Sequence, residues 1–204
     1  MRDAVETWGR QRWPKARVVH ELVVGDCRID MAFVSPDDLV GVEIKSSKDV
    51  LDRLDKQLRV FREHLPEVWL AVAEKWRDVR EDHWQGTFVV GETGVEMSVP
   101  TPSGVRLPVT PPNRNWTCYP AMLALLWADE LRAVASRARI SHSPRAAAYK
   151  LRPDMARLMT GDEILKGVCR ELRGRNAFWK ADPPIIEEVR GPATQPPPAA
   201  RLFR

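Results

Sequence analysis

The sequence contains few of the residues that form disulfide frameworks or cysteine-ligated metal sites. Only three of its 204 residues are cysteines, and Cys27, Cys118 and Cys169 lie far apart, so that no Cys-x-x-Cys pair exists. An odd and dispersed set of thiols excludes both a disulfide framework and a cysteine zinc site, and it fits a reducing compartment. The four histidines are equally dispersed.

Long apolar runs are also missing. The longest covers residues 121–128, whereas a helix that crosses a bilayer needs about 20 apolar residues. The first residues are charged, and no apolar signal core follows them. We therefore expect a cytoplasmic protein that does not contact a membrane.

Charge is present in both signs but is unevenly distributed. The net charge is +4, yet residues 1–100 carry 15 basic and 19 acidic side chains, and residues 101–204 carry 17 and 9. Between residues 132 and 180, 12 basic side chains stand against 4 acidic ones. This asymmetry suggests an anionic partner such as nucleic acid. On charge alone, a solvated helical surface explains it equally well.

The hydrophobic pattern of the first hundred residues predicts an α/β domain. Short turns between three consecutive strands favour an antiparallel meander. Leucine and phenylalanine at spacings of three and four then predict a helix, capped by Ser47 or Asp49. The apolar strand after this helix is expected to be buried and parallel to an earlier strand. The predicted helices cover residues 3–13 and 49–65, and the predicted strands cover 17–24, 27–34, 39–45, 68–73, 88–90 and 95–99.

The second half is predicted to be helical and is bounded by proline-rich segments. Six prolines between residues 100 and 120 indicate a linker. The apolar spacing then predicts helices over 121–137, 145–159 and 160–173. We therefore divide the chain into a domain at 1–99, a linker at 100–120, a basic helical extension at 121–182 and a disordered tail at 183–204.

Acidic side chains and a lysine come together on the predicted meander. Strand side chains alternate between faces, so Glu43 and Lys45 project from a strand whose other face is apolar. Asp30 lies on the preceding strand, and pairing of the two strands would bring it close to Glu43. The same alternation predicts that Ile29, Met31 and Phe33 share the face opposite Asp30.

Two converging carboxylates suit a hard cation. Mg²⁺ prefers oxygen ligands and keeps several waters, so one or two carboxylates and a substrate phosphate suffice. A lysine two residues beyond the glutamate can hold the attacking water or offset charge that develops on phosphorus. These residue types therefore suit a metal-assisted reaction in which water attacks a phosphate group. A lone Glu-x-Lys on a strand is more often a solvated edge.

Asp30 followed by Glu43-Ile44-Lys45 resembles the signature of the PD-(D/E)XK nuclease superfamily, with Ile29 in the position of the proline. The resemblance covers about residues 17–75 well, through positions 28–30, 41–46, 53–54, 57 and 68–72. It covers the helical half weakly, through residues 125–131. It is strongest to a small bacterial and phage branch related to MmcB-like DNA repair proteins. It implies a restriction-endonuclease-like fold: a mixed sheet flanked by helices, here followed by a helical C-terminal extension.

The resemblance also implies a role for each site residue. Asp30 and Glu43 would bind Mg²⁺, or Mn²⁺ as a substitute, with the Ile44 carbonyl as a third ligand. Glu21 would be an additional upstream acidic ligand. Lys45 would be the catalytic lysine, and Gln57 would support the site or the DNA. The implied activity is Mg²⁺-dependent cleavage of DNA, in repair or in phage DNA processing.

Several of these residues have simpler explanations. A cross-strand ion pair with Arg28 would account for Glu21 equally well. Gln57 lies at the polar border of its helix, and Arg53 is expected to contact a neighbouring aspartate more often than a phosphate. The residues predicted to bind nucleic acid are Arg53, Arg137, Arg139, Arg145 and Lys150.

Two rival functions stay open at this point. The first is a nucleic-acid-binding module that does not cut, and the second is a protein-interaction subunit that binds a partner through the C-terminal helices or the tail. The tryptophans are expected to pack in the core, although Trp8, Trp13 and Trp179 lie among arginines and could stack on bases.

Overall fold

The computed structural model describes residues 1–79, 86–91, 94–96 and 118–186. Within these ranges the chain forms six α-helices and a seven-stranded sheet. The helices are α1 (Arg2–Arg12), α2 (Leu54–His64), α3 (Tyr119–Met122), α4 (Ala128–Arg137), α5 (Ala148–Leu158) and α6 (Gly161–Gly174). The strands are β1 (Arg17–Val24), β2 (Cys27–Val34), β3 (Leu39–Lys45), β4 (Glu67–Ala73), β5 (Gly86–Gly91), β6 (Gly94–Glu96) and β7 (Lys180–Ala181).

The sheet is mixed, with the strand order β6-β5-β4-β3-β2-β1-β7. Strands β1, β2 and β3 form the predicted antiparallel meander. After the crossover through α2, β4 pairs parallel to β3, as predicted. The predicted α/β class, with a mixed sheet flanked by helices, is therefore confirmed.

Helix α1 covers one face of the sheet. Its Val5 is fully buried in a cluster with residues of β2, β3, β4 and β5. The rings of Trp8 and Phe88 lie 4.4 Å apart, and those of Trp13 and Phe33 lie 5.1 Å apart. These two tryptophans therefore pack in the protein, as expected, whereas Trp179 is 78% exposed.

The opposite face is covered by α2 and by helices from the second half of the chain. Leu58 and Phe61 of α2 share one buried cluster with Val168 and Leu172 of α6 and with strand residues such as Leu70. Buried Arg17 of β1 strengthens this junction, because its guanidinium donates hydrogen bonds to three backbone carbonyls near the end of α6. The described helices after residue 118 and the sheet therefore share a core.

The predicted division of the chain at residue 99 stays a prediction. The greater part of the predicted linker (100–117) and of the predicted tail (187–204) lies outside the described residues. Of the last strand predicted in the first half (95–99), only residues 95 and 96 are described, and they belong to β6. The short strand β7 had no signal in the sequence.

Two predicted helices differ from the structure. Helix α2 begins at Leu54 and not at Asp49, because the Asp49 carboxylate accepts hydrogen bonds from the Ser46 backbone and hydroxyl and forms a turn. The single helix predicted over 121–137 is also wrong. The backbone is extended at Leu126 and Trp127, and the Glu130 carboxylate accepts the Trp127 N–H at 2.8 Å, which caps a new helix.

The predicted alternation of β2 is wrong at one position. Ile29 packs with Ala32 and Val34 on the α2 face, whereas Met31 and Phe33 pack on the α1 face. Opposite this switch, Glu21 of β1 adopts a left-handed backbone conformation with φ of +54°. Such a conformation is unfavourable for residues other than glycine, asparagine and aspartate. The ladder between β1 and β2 is interrupted at Glu21 and Asp30, between the pairs His20–Met31 and Leu22–Ile29.

No helix in the described ranges is long and apolar enough to cross a membrane.

Candidate active site

Three side chains of the predicted site form a closed hydrogen-bonded set at the end of β3. The Lys45 ammonium donates to Glu43 Oε1 at 2.7 Å and to Gln57 Oε1 at 2.9 Å. The Gln57 amide in turn donates to Glu43 Oε1 at 2.9 Å. Gln57 comes from α2, which lies over the strand, so the fold brings together residues that are 14 positions apart.

Asp30 is held beside this set by the backbone of β3. Its Oδ2 atom accepts the Ile44 N–H at 2.8 Å. The ladder between β2 and β3 ends at Met31 and Val42, one residue pair before Asp30. The side chain of Asp30 therefore reaches β3 just beyond the paired region, next to Glu43.

Glu43 is an unusual carboxylate because only one of its oxygens is hydrogen-bonded. The residue is 2% exposed, and its Oε2 atom is buried without a hydrogen-bond partner among the described residues. Burial and the negative charge of Asp30 raise the pKa of Glu43 to about 7, although the bonds from Lys45 and Gln57 oppose the shift. A buried oxygen without a donor is costly, and a cation is one group that would satisfy it.

Asp30 is subject to the same opposing effects. Burial raises its pKa, while the bond from the Ile44 N–H and the positive charge of Arg2 act in the other direction. Arg2 Nη2 lies 2.7 Å from Asp30 Oδ1. Asp30 therefore has a partner on each oxygen, one from the backbone and one from the Arg2 side chain.

Glu21 lies close to Asp30, and both of its carboxylate oxygens already contact arginine side chains. Its Oε1 is 3.5 Å from Arg2 Nη2, and its Oε2 is 3.3 Å from Arg28 Nη1. The cross-strand contact with Arg28 that competed with a metal role is thus present. The metal role of Glu21 stays a prediction.

The donor set fits a hard cation that keeps most of its waters. The oxygens of this carboxylate pair that could bind it are Asp30 Oδ1, which contacts Arg2, and Glu43 Oε2, which has no hydrogen-bond partner among the described residues. No group of three or more histidine, cysteine, aspartate or glutamate side chains suited to a metal occurs in the part of the chain that the structure describes. Mg²⁺ suits such a sparse set, since one or two carboxylates and a substrate phosphate suffice. The Ile44 carbonyl as third ligand stays a prediction.

The predicted nucleic-acid-binding residues do not form one group. Arg53 is exposed immediately before α2, and Arg139 is exposed after α4. Arg145 and Lys150 line one open hollow of about 370 Å³. Arg137 lines a different hollow and forms an ion pair with Glu171, so its charge is compensated.

Arg2 is the site residue that the sequence did not reveal. Its contact with Asp30 depends on how α1 crosses the sheet, and no spacing or motif reports that. The one signal in the sequence is a basic residue at the start of the first predicted helix.

Comparison with known proteins assigns the chain to a family. Residues 7–160, about three quarters of the sequence, match the family described as Bacteriophage P4 protein cII. The chain belongs to the bacteriophage P4 protein cII family. The match includes Asp30, Glu43, Lys45 and Gln57, and the family description agrees with the predicted phage association. That description names no activity.

Other comparisons add little. No curated protein matches the sequence. One similar solved structure is the SPO1766 protein of unknown function from Silicibacter pomeroyi, with 17% sequence identity and a TM-score of 0.35. The similarity covers 66% of this chain and 88% of that protein.

Glu43→Gln is expected to flatten the dependence of stability on pH. With a pKa of about 7 in the folded state and 4.5 ordinarily, folded wild type keeps the Glu43 proton at pH values where the unfolded chain releases it. The contribution of Glu43 to the free energy of unfolding should therefore fall as the pH rises from 4.5 to 7, by up to about 3 kcal/mol. The glutamine variant has no such proton. Urea unfolding at pH 5, 6, 7 and 8 in EDTA measures the difference.

The difference between wild type and Glu43→Gln also removes the effect of His20, which titrates in the same pH range. Burial lowers the pKa of His20, which makes stability rise with pH, but this effect cancels in the difference between wild type and variant. Glu63→Gln, at an exposed position on α2, should keep the wild-type slope. A difference between wild type and Glu43→Gln that stays constant across this range would contradict the raised pKa.

Proposed function

We propose that the protein is a metal-dependent nuclease of the PD-(D/E)XK type that hydrolyses phosphodiester bonds in DNA. Mg²⁺ is the proposed cofactor, with Mn²⁺ as a substitute. One observation carries the proposal: the buried Oε2 of Glu43, beside Asp30, has no hydrogen-bond partner among the described residues, and the Lys45 ammonium is 2.7 Å from the other Glu43 oxygen. The proposed setting is DNA repair or phage DNA processing, and the phage P4 cII family supports the phage association.

Asp30 and Glu43 would hold the metal in this proposal. When bound, Mg²⁺ lowers the pKa of a water and stabilises negative charge on the phosphate oxygens. The reaction needs no covalent enzyme intermediate, because a water oxygen attacks phosphorus and the bond to the leaving strand breaks. The two carboxylates fix where this takes place, at the end of β3.

Lys45 would act on the attacking water or on the reacting phosphate. An ammonium group has three donors, and the bonds to Glu43 and Gln57 use two of them. The third is available to orient the water or to offset charge that develops on the phosphate. Gln57 would be a positioning residue, since it holds Lys45 and Glu43 together and need not touch the substrate.

The basic residues of the second half would hold the DNA backbone without reading its sequence, because contacts to phosphate fix position and carry no direct sequence information. Arg139, Arg145 and Lys150 suit this role since their side chains are exposed. Arg137 is less suited, because Glu171 already compensates its charge.

Lys45→Met is expected to lower the rate of DNA cleavage by about 10²–10⁴-fold, since it removes a group that acts in the chemical step. Mn²⁺ should still bind to this variant.

Asp30→Asn, which keeps an acceptor for the Ile44 N–H, should abolish cleavage and weaken Mn²⁺ binding. The assay is nicking of plasmid DNA with Mg²⁺, Mn²⁺ or EDTA, alongside branched, single-stranded and RNA substrates.

Lys166→Met is the matched control, because Lys166 is an exposed lysine paired with Asp162 on α6. It should cleave at the wild-type rate. Wild-type protein that binds these nucleic acids but cleaves none of them would contradict the nuclease and favour a non-cutting binding module. Failure both to bind and to cleave would favour a protein-interaction subunit.

Replacing Arg139, Arg145 and Lys150 together by alanine is expected to weaken DNA binding and to reduce its salt dependence. Each phosphate contact adds about 0.9 to the slope of log affinity against log salt on duplex DNA. Fluorescence anisotropy with a labelled duplex in EDTA measures both quantities without cleavage.

A second triple variant controls for the change in net charge. It removes three cations that are each paired with a carboxylate: Lys56, Arg77 and Lys166. This variant should lose less affinity than the first. Equal losses would show that net charge alone controls binding, and an unchanged slope in the first variant would place the DNA contact elsewhere.

A further inference from the structure

Arg2 occupies the oxygen of Asp30 that the sheet backbone leaves open. The Ile44 N–H binds Oδ2, and Arg2 Nη2 lies 2.7 Å from Oδ1. The same nitrogen is 3.5 Å from Glu21 Oε1. The Arg2 guanidinium therefore occupies the position that a metal ion bound to Asp30 Oδ1 would take.

We infer that Arg2 is a built-in counter-ion that a divalent cation must displace, so that this one residue sets the metal affinity of the site. The inference rests on the proposed function, because it takes Asp30 as a metal ligand. It goes beyond that function in assigning a regulatory role to the first turn of α1.

The position of α1 is fixed by packing and not by the Arg2 contact. Val5 is fully buried, and Gly9 lies so close to the Phe33 ring that a Cβ atom there would be 1.9 Å from it. Near the other end of the helix, Arg10 binds both oxygens of Asp182. Loss of the Arg2 side chain should therefore leave α1 in place.

The charges around the site balance only while Arg2 is in contact. Three carboxylates (Glu21, Asp30 and Glu43) stand with three cations (Arg2, Arg28 and Lys45). A bound divalent ion adds two positive charges to this balanced set. Release of Arg2 takes its single positive charge away from the site, and it relieves the repulsion between the guanidinium and the metal ion at Asp30 Oδ1.

Arg2 is able to leave. Its side chain is 40% exposed, and its long stem is flexible, so the guanidinium can move into water without unfolding the helix. Lys45 is different, because its side chain is 11% exposed and its ammonium is bonded to Glu43 and Gln57. The two cations of the site therefore have separate roles, Arg2 exchangeable and Lys45 fixed.

Mn²⁺ binding to the 204-residue chain tests the inference. Electron paramagnetic resonance gives the concentration of free Mn²⁺ during titration of wild type, Arg2→Gln and Arg2→Lys at low salt. Arg2→Gln should bind Mn²⁺ about fivefold more tightly, as expected for removal of a partly exposed ion pair. Arg2→Lys, which keeps the charge, should stay near wild type. Circular dichroism checks that each variant is folded.

Arg10→Gln is the matched control, since it removes an ion-paired arginine from the same helix at its other end. Its Mn²⁺ affinity should equal that of wild type. Thermal unfolding gives a second readout: Mn²⁺ should stabilise Arg2→Gln more than it stabilises wild type, because tighter binding shifts the folding equilibrium further.

The outcomes separate this inference from the proposed function. If wild type binds Mn²⁺ and Arg2→Gln binds it equally or more weakly, the inference is wrong and the metal site stands. If Mn²⁺ affinity is negligible in wild type, in Arg2→Gln and in Asp30→Asn alike, the proposed metal site is wrong, and the inference is overturned with it.

Discussion

The Glu43 carboxylate lies almost entirely out of water, with one oxygen bonded to Lys45 and Gln57 and the other without a partner among the described residues. A buried carboxylate with one unsatisfied oxygen is unfavourable in its charged form, and this raises the pKa of Glu43. This environment depends on helix α2, which covers the strand, and on the neighbouring Asp30. The chemistry proposed for the site uses the same destabilised oxygen to attract a cation.

The supporting elements of the fold place each partner of Glu43. Helix α2 supplies Gln57, and the Ile44 N–H of β3 holds Asp30. Helix α1, on the other face, brings Arg2 to Asp30. The helices after residue 118 pack on the face that α2 covers. The site therefore depends on contacts from both halves of the described chain, although the residues that form it all lie before residue 58.

The sequence predicted the first three strands with their observed bounds, since turn signals at residues 25–26 and 35–38 separate three apolar runs. It also predicted that Asp30, Glu43, Lys45 and Gln57 come together, partly from strand alternation and partly from the family resemblance. Other features depend on tertiary structure. Glu21 has no glycine-like signal for its left-handed backbone, and the break at Leu126 and Trp127 contains no proline or glycine. The contact of Arg2 depends on the packing of α1 against Phe33.

The central claim is that Asp30 and Glu43 bind a divalent cation. Crystals of the protein grown with Mn²⁺, with diffraction data collected at the manganese absorption edge, test it most directly. We expect an anomalous difference peak within bonding distance of Asp30 Oδ1 and Glu43 Oε2, with the Arg2 guanidinium moved away from Asp30. A map with no peak between these carboxylates at saturating Mn²⁺, and with Arg2 still bound to Asp30, would contradict the account.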